Sequence, residues 1–227
     1  MWALSASILG CKHAAIGDAV RRAEKAGARY IHIDVMDGNY VDNLTFGPQL
    51  VQELGELCSL PLSIHLETYR PDRYFRLFRD TPASAFSFQL DTCSNPFHLI
   101  QEMRASGKTV GVGIGPAISP EPLRYLLPQI DTVTVMSVEP GYGGQVFNPN
   151  VYEKIRQVRR MAEELERPVT ICVDGGVDTD KIPRLLEAGA DVLICGTSVF
   201  RGDRIEENIA ALLKSGEGYG CDRRAKG

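Results

Sequence analysis

His32 and Asp34 stand two apart in YIHIDVMDG, interleaved with Ile31, Ile33 and Val35. If this run is a β-strand, its pleat sends the two polar side chains to one face and the three apolar ones to the other. His65 in SIHLE and Asp174 in VDGG lie at the ends of two further β-type runs. Two imidazoles and two carboxylates converging on one point suit a single borderline divalent cation such as zinc, iron, manganese or cobalt. Taken singly, each could be a partnered core histidine or an aspartate capping a loop. Four together, each near the C-terminal end of a strand, point to a metal centre.

A second group of residues suits an anion. EPGYGGQ, from Glu139 to Gln145, DGG, from Asp174 to Gly176, and GTS, from Gly196 to Ser198, follow the sixth, seventh and eighth apolar runs. Glycine loops that expose backbone N–H groups beside helix N-termini favour phosphate, and they need no Arg or Lys, neither of which is obvious here. The plainer alternative is that these are turn glycines. With a sugar phosphate anchored there, its carbonyl end would reach the metal, whose charge would stabilise an enediolate. Asp34 and Asp174, from the second and seventh strands, would face each other across the substrate. One would take a proton from a carbon while the other returned one to the opposite face, which inverts a stereocentre. No redox cofactor is implied.

Something must hold these groups at one end of a scaffold. Short β-branched or apolar runs begin at residues 3, 30, 60, 85, 109, 132, 169 and 191. Between them lie helical spacings, such as Ala19, Ala23 and Ala26, or Ile155, Val158, Met161 and Leu165. EKAGARY, RASGKTV and LEAGADV supply helix-ending glycines just before the next strand. Eight units in 227 residues give about 28 residues each, the size of a β-strand, loop and helix. With no GxGxxG after the first strand, a closed (β/α)8 TIM barrel is expected rather than a doubly wound open sheet. One domain is expected over 1–214, with a disordered C-terminal tail over 215–227, where apolar periodicity gives way to Gly and charge.

Composition narrows the function classes. Lys plus Arg number 25 and Asp plus Glu 29, a formal charge of −4, which disfavours a nucleic-acid surface. No apolar stretch approaches the roughly 20 residues of a membrane helix, and MWALSASILGCKH lacks the basic start of a signal peptide, so a cytoplasmic protein is expected. The six cysteines form no CxxC pair and read as reduced packing residues. Arg21, Arg22, Arg159 and Arg160 read as solvating helix faces, and His13 and His98 as surface residues without chemistry.

SASIL, HIDVMDGNYVDNLTFGP, IHL, MSVEPGYGGQVF, VDGGV and AGADVLICGTSVF together resemble the ribulose-phosphate 3-epimerase family, in order from about residue 4 to 202. The resemblance implies a metal at His32, Asp34, His65 and Asp174, with Asp34 and Asp174 as the acid and base. It implies that Ser7 contacts substrate and that Met36 and Met136, which composition alone reads as core, pack near the reacting carbon. It implies that Gly144, Gly175, Gly176, Gly196 and Thr197 surround the phosphate; Gly141, Gly143 and Gln145 of the same loop are added as substrate-binding candidates. It further implies a homo-oligomer acting at C3 of D-ribulose 5-phosphate to give D-xylulose 5-phosphate. Departures fall at Ser63, Glu67, Gln89, Asp91 and Gly115, so a hexulose or tetrulose phosphate is the alternative substrate, and a non-catalytic sugar-phosphate-binding barrel a more distant one. Glu67 stands where the family usually has Met and is read as placing a carboxylate near the metal, with a solvent-facing side chain as the other reading.

Overall fold

The structure, a computed structural model, describes residues 2–219. Eight strands, β1 (Ala3–Ser7), β2 (Tyr30–Met36), β3 (Leu62–Glu67), β4 (Ala85–Gln89), β5 (Thr109–Ile114), β6 (Thr132–Met136), β7 (Thr170–Asp174) and β8 (Val192–Cys195), pair in sequence order. All pairings are parallel, and β8 pairs back onto β1 through Ala3↔Val192 to Ala6↔Cys195, closing a (β/α)8 barrel. The helices are α1 (Ile16–Ala26), α2 (Pro48–Leu57), α3 (Pro71–Phe78), α4 (Pro96–Ala105), α5 (Leu123–Leu126), α6 (Val151–Glu163), α7 (Ile182–Ala188), α8 (Thr197–Phe200) and α9 (Ile205–Ser215). α2, α3 and α4 each open on proline, where the missing N–H costs nothing and the fixed φ suits the first turn. The expected glycine stops are present: Gly27, Gly107 and Gly189 all have positive φ.

The hydrophobic core lies between sheet and helices. Ile31, Ile33 and Val35 of β2, Ile64 and Leu66 of β3, and Phe86 and Phe88 of β4 are buried with Val20, Val51, Leu54, Phe75 and Ile100 of the helices. By alternation, the other parity points into the barrel, and it is not the apolar set that an ordinary barrel interior would have. Ser5, Ser7, His32, Asp34, His65, Glu67, Ser87, Gln89 and Thr134 are all buried. Small and polar groups therefore fill the interior, leaving room for larger polar side chains at its C-terminal end.

Two arginines assigned to solvation act as ties. Arg22 of α1 donates to Glu206 Oε1 at 2.8 Å and to Asp203 Oδ1 at 2.8 Å, joining the first helix to the last. Arg159 of α6 donates to the Gly189 carbonyl and to Asp191. Their partners lie far away in sequence, which is why local exposure patterns do not reveal them. At the end of the barrel, Trp2 Nε1 donates to the Gly216 carbonyl at 3.0 Å, and the Tyr219 hydroxyl meets Glu187 at 3.1 Å. Of the tail expected over 215–227, Ser215 ends α9 and residues 220–227 lie outside those described.

Candidate active site

β2 and β3 are in register with Asp34 opposite His65 and Met36 opposite Glu67, so four inward side chains of two neighbouring strands share one patch. β7 brings Asp174 from across the barrel, paired with Met136 of β6. His32 Nε2 lies 3.0 Å from Asp34 Oδ1 and 3.5 Å from Asp174 Oδ2. His65 Nδ1 lies 3.6 Å from Asp34 Oδ1 and 3.8 Å from Asp174 Oδ2. Ser7 Oγ donates to the other oxygen of Asp34, Oδ2, at 2.8 Å. The expected quartet thus comes together from three strands, with Ser7 of β1 buttressing it.

One donor atom from each of His32, Asp34, His65 and Asp174 falls within 4.8 Å of the other three, close enough for one ion to touch all of them. Two observations test whether a divalent cation fits. The donors are two imidazole nitrogens and two carboxylate oxygens, whose charge balances a dication. His65 Nδ1 is buried with no hydrogen-bond partner, although it is aimed at the carboxylates. Behind it, the Gln89 amide packs 3.2 Å from His65 Nε2, while Gln89 Oε1 is buried without a partner. Turning that amide end for end presents Oε1 to an Nε2–H, so that Nδ1 faces the cluster and, once it gives up its proton, offers a lone pair to a cation. The residues present fit a divalent metal.

The charges are strongly coupled. Burial by itself opposes protonation of the two imidazoles, but Asp34 and Asp174 outweigh it, holding His32 up at about 10 and His65 at about 9. Burial likewise works against the two aspartates in their charged form, but His32 and His65 outweigh it and hold both carboxyls below the usual carboxylate range. Glu67 goes the other way. Burial pushes it up to about 8, with His65 opposing and the charges of Asp34 and Asp174 adding to the rise.

Above the cluster opens a cavity of about 550 Å3. Its wall contains Ser7, Met36, Met136, Gly141, Gly143, Gly144, Gln145, Gly175, Gly176, Gly196 and Thr197, together with Asp34 and Asp174. Every metal, catalytic and substrate-binding candidate named from the sequence is therefore on this cavity, except His32 and His65, which touch the aspartates instead; of the departures from the family pattern, Glu67 lines it and Ser63, Gln89, Asp91 and Gly115 do not. The glycine loops do meet: Gly175 has φ of +101°, and a Cβ there would come within 2.5 Å of Val138, so only glycine suits this corner. Loops after β2 and β6 also touch across the mouth, where Asn43 Nδ2 donates to the Gly141 carbonyl at 2.9 Å and the Tyr142 hydroxyl to that of Asp42. Asp37 shapes the former loop by accepting from the Asn39, Tyr40 and Tyr69 amides.

Some wall residues escape sequence reasoning. Lys181 and Arg201 line the cavity, although no cation was expected near the glycine loops; both come from the helical turns that follow those loops, and Lys181 is already paired with Asp178. Gly10 is another. A Cβ at Gly10 would lie 2.4 Å from the Gly196 carbonyl carbon and 2.7 Å from the Thr197 nitrogen, both backbone atoms that cannot swing aside. Replacing Gly10 by Ala is expected to cost about 1 to 3 kcal/mol, lowering Tm by about 2 to 4 °C per kcal/mol, and to displace the Gly196 loop. Thermal unfolding and phosphate-ligand affinity check this; if both match the parent protein, the contact is not constraining.

Comparison with known proteins agrees with this geometry. The ribulose-phosphate 3 epimerase family model matches residues 3–200. The ribulose-phosphate 3-epimerase of Bacillus subtilis is 38% identical over 86% of this chain and 90% of its own length. Those of Mycobacterium bovis and Chlamydia muridarum are each 36% identical, over 93% and 96% of this chain and 91% and 96% of their own. A mutant tryptophan synthase alpha-subunit from Pyrococcus furiosus superposes with a TM-score of 0.71 at 14% identity, covering 94% of this chain and all of that one. Thiamine phosphate pyrophosphorylase from the same organism gives 0.63 at 15%, covering 96% of each chain. These two likenesses speak to the barrel alone. The family model and the full-length relatives, by contrast, span the strand ends that carry the His and Asp cluster, and on that ground the chain belongs to the ribulose-phosphate 3-epimerase family, whose members are isomerases.

Proposed function

We infer that the chain inverts C3 of D-ribulose 5-phosphate to give D-xylulose 5-phosphate, using Asp34 and Asp174 as the proton-transfer pair. The observation that carries this reading is the placement of two carboxylates from non-adjacent strands, β2 and β7, at 3.0 and 3.5 Å from His32 Nε2, at the floor of a cavity rimmed by glycine loops. His32, Asp34, His65 and Asp174 would hold one divalent cation, which when bound polarises the ketone and a neighbouring hydroxyl and stabilises enediolate charge.

The protein's own groups do the rest. Gly144, Gly175, Gly176, Gly196 and Thr197 offer backbone N–H groups to the phosphate. Anchoring at that end turns C3 toward the aspartates, one on each face. One carboxylate takes the C3 proton as it leaves, and the other, protonated, delivers a proton to the opposite face. In the reverse direction their roles exchange. Ser7 Oγ, donating to Asp34 Oδ2, fixes which lone pair of Asp34 faces the substrate. Met36 and Met136, buried and on the wall, exclude water from the carbanion-like carbon without offering it a competing proton. The resemblance of the sequence also supports a homo-oligomer, which sedimentation of the purified protein would test.

Proton NMR of D-ribulose 5-phosphate with the metal-loaded protein in D2O tests the reaction. The C3 proton signal should vanish as the xylulose epimer grows with deuterium at C3. Absence of both overturns the pentulose reading, and a hexulose or tetrulose phosphate turning over with a higher kcat/KM replaces it with the alternative substrate.

A further inference from the structure

Glu67 is the one buried acid of the cavity wall that the proposed reaction leaves without a task. Its side chain is 2% exposed, yet Oε2 has no hydrogen-bond partner. Oε1 lies 3.8 Å from His65 Nδ1, beyond hydrogen-bond distance, and Glu67 is outside the group of four donors that a single ion could reach. A carboxylate oxygen removed from water without a donor is costly, and the protein supplies none here. The donor can come from whatever enters the cavity.

Its position says which part of the ligand that is. Glu67 ends β3, and in a ring of eight strands β3 stands directly opposite β7, whose following residues Gly175 and Gly176 belong to the phosphate side of the cavity. A carboxyl oxygen on the opposite wall offers a phosphate no donor but can accept from a hydroxyl. We propose that Glu67 is a substrate-binding residue that accepts a hydrogen bond from the terminal C1 hydroxyl of a ketose phosphate, selecting substrates that carry this hydroxyl and preventing them from entering phosphate first. This rests on the ketose-phosphate reading given above.

The test compares D-xylulose 5-phosphate with 1-deoxy-D-xylulose 5-phosphate, which differ only in that hydroxyl and not at the reacting carbon. Calorimetric binding to the metal-loaded protein should favour the hydroxylated sugar by about 10 to 100-fold. Glu67→Met should bring this ratio to within about 3-fold by weakening only the hydroxylated sugar, and Glu67→Gln, which keeps an oxygen acceptor of the same size, should retain part of it. In turnover, the Met variant should raise KM for D-xylulose 5-phosphate far more than it lowers kcat. An unchanged ratio in Glu67→Met overturns the proposal, as does failure of the parent protein to bind either sugar. So does loss of bound metal from Glu67→Met with the ratio preserved, because the carboxylate would then serve the cation. If the parent protein epimerises no ketose phosphate, the reaction reading fails separately, and the binding ratio still decides the role of Glu67.

Discussion

Asp174→Asn should reduce inversion of D-ribulose 5-phosphate by about 10² to 10⁴-fold, the share that a positioned acid or base contributes. An amide can neither take the C3 proton nor deliver one at neutral pH. The size of the loss does not by itself separate proton transfer from a damaged metal site, because Asp174 Oδ2 is also one of the four converging donor atoms. Isotope exchange does. With Asp174 silenced, Asp34 can still remove and return a proton on its own face. One epimer should therefore exchange its C3 proton with D2O and keep its configuration, while the other should not exchange. Asp34→Asn should show the same pattern with the epimers reversed. Full inversion by either variant at the parent rate would remove that aspartate from the mechanism. If metal content falls and neither epimer exchanges, the lost cation explains the result, and the assignment of faces fails.

The second large effect concerns acid. In the metal-free protein His32 is held up at about 10 and His65 at about 9, so both rings are protonated at pH 7. A cation needs their lone pairs and must expel both protons to bind. Between pH 6 and 8 the apparent association constant should therefore rise by about two powers of ten per pH unit, flattening as pH passes through 9 to 10. The sign follows from the raised values: acid stabilises the proton-loaded form that competes with metal, and alkali removes it. Calorimetry with Mn2+ in two buffers of different ionisation enthalpy reads proton release directly, with about two protons expected per ion at pH 7. Binding that is independent of pH over this range would show that the two rings are not both protonated in the metal-free protein. Chelation at pH 6 should accordingly strip activity much faster than at pH 8.

Much of this arrangement was legible from local sequence. The alternation in YIHIDVM already puts His32 and Asp34 on one face, and the barrel confirms that face as the inner one, with Ile31, Ile33 and Val35 in the outer core. The same period of two in SIHLE places Glu67 with His65, a signal that was present but which spacing alone could not distinguish from a solvent-facing strand end. Its burial depends on the register with Met36, a property of two strands together. The polarity of the whole interior was not foreseen either. Ser5, Ser87 and Thr134 look unremarkable singly, and only closure shows that they share a lumen. Gly10 against Gly196, and Arg22 against Asp203 and Glu206, are contacts between distant parts of the chain, which composition and periodicity cannot encode. Lys154 is a similar case, its ammonium donating to the carbonyls of Gly115, Pro116 and Ile118 and so pinning the loop after β5.

The pairing of β8 with β1 bears on how the molecule is made. As the ribosome extrudes the chain from its N-terminus, β1 has a partner on one side only until β8 emerges, and each newly added strand is a raw edge in turn. The contact of Gly10 with Gly196 and the bond from Trp2 to Gly216 are both deferred to that final moment. A nascent chain halted before residue 192 would carry all of His32, Asp34, His65 and Asp174, yet lack the last of the loops that wall the cavity and keep two sticky margins. Its fate in a crowded cell would rest on chaperones rather than on its own stability.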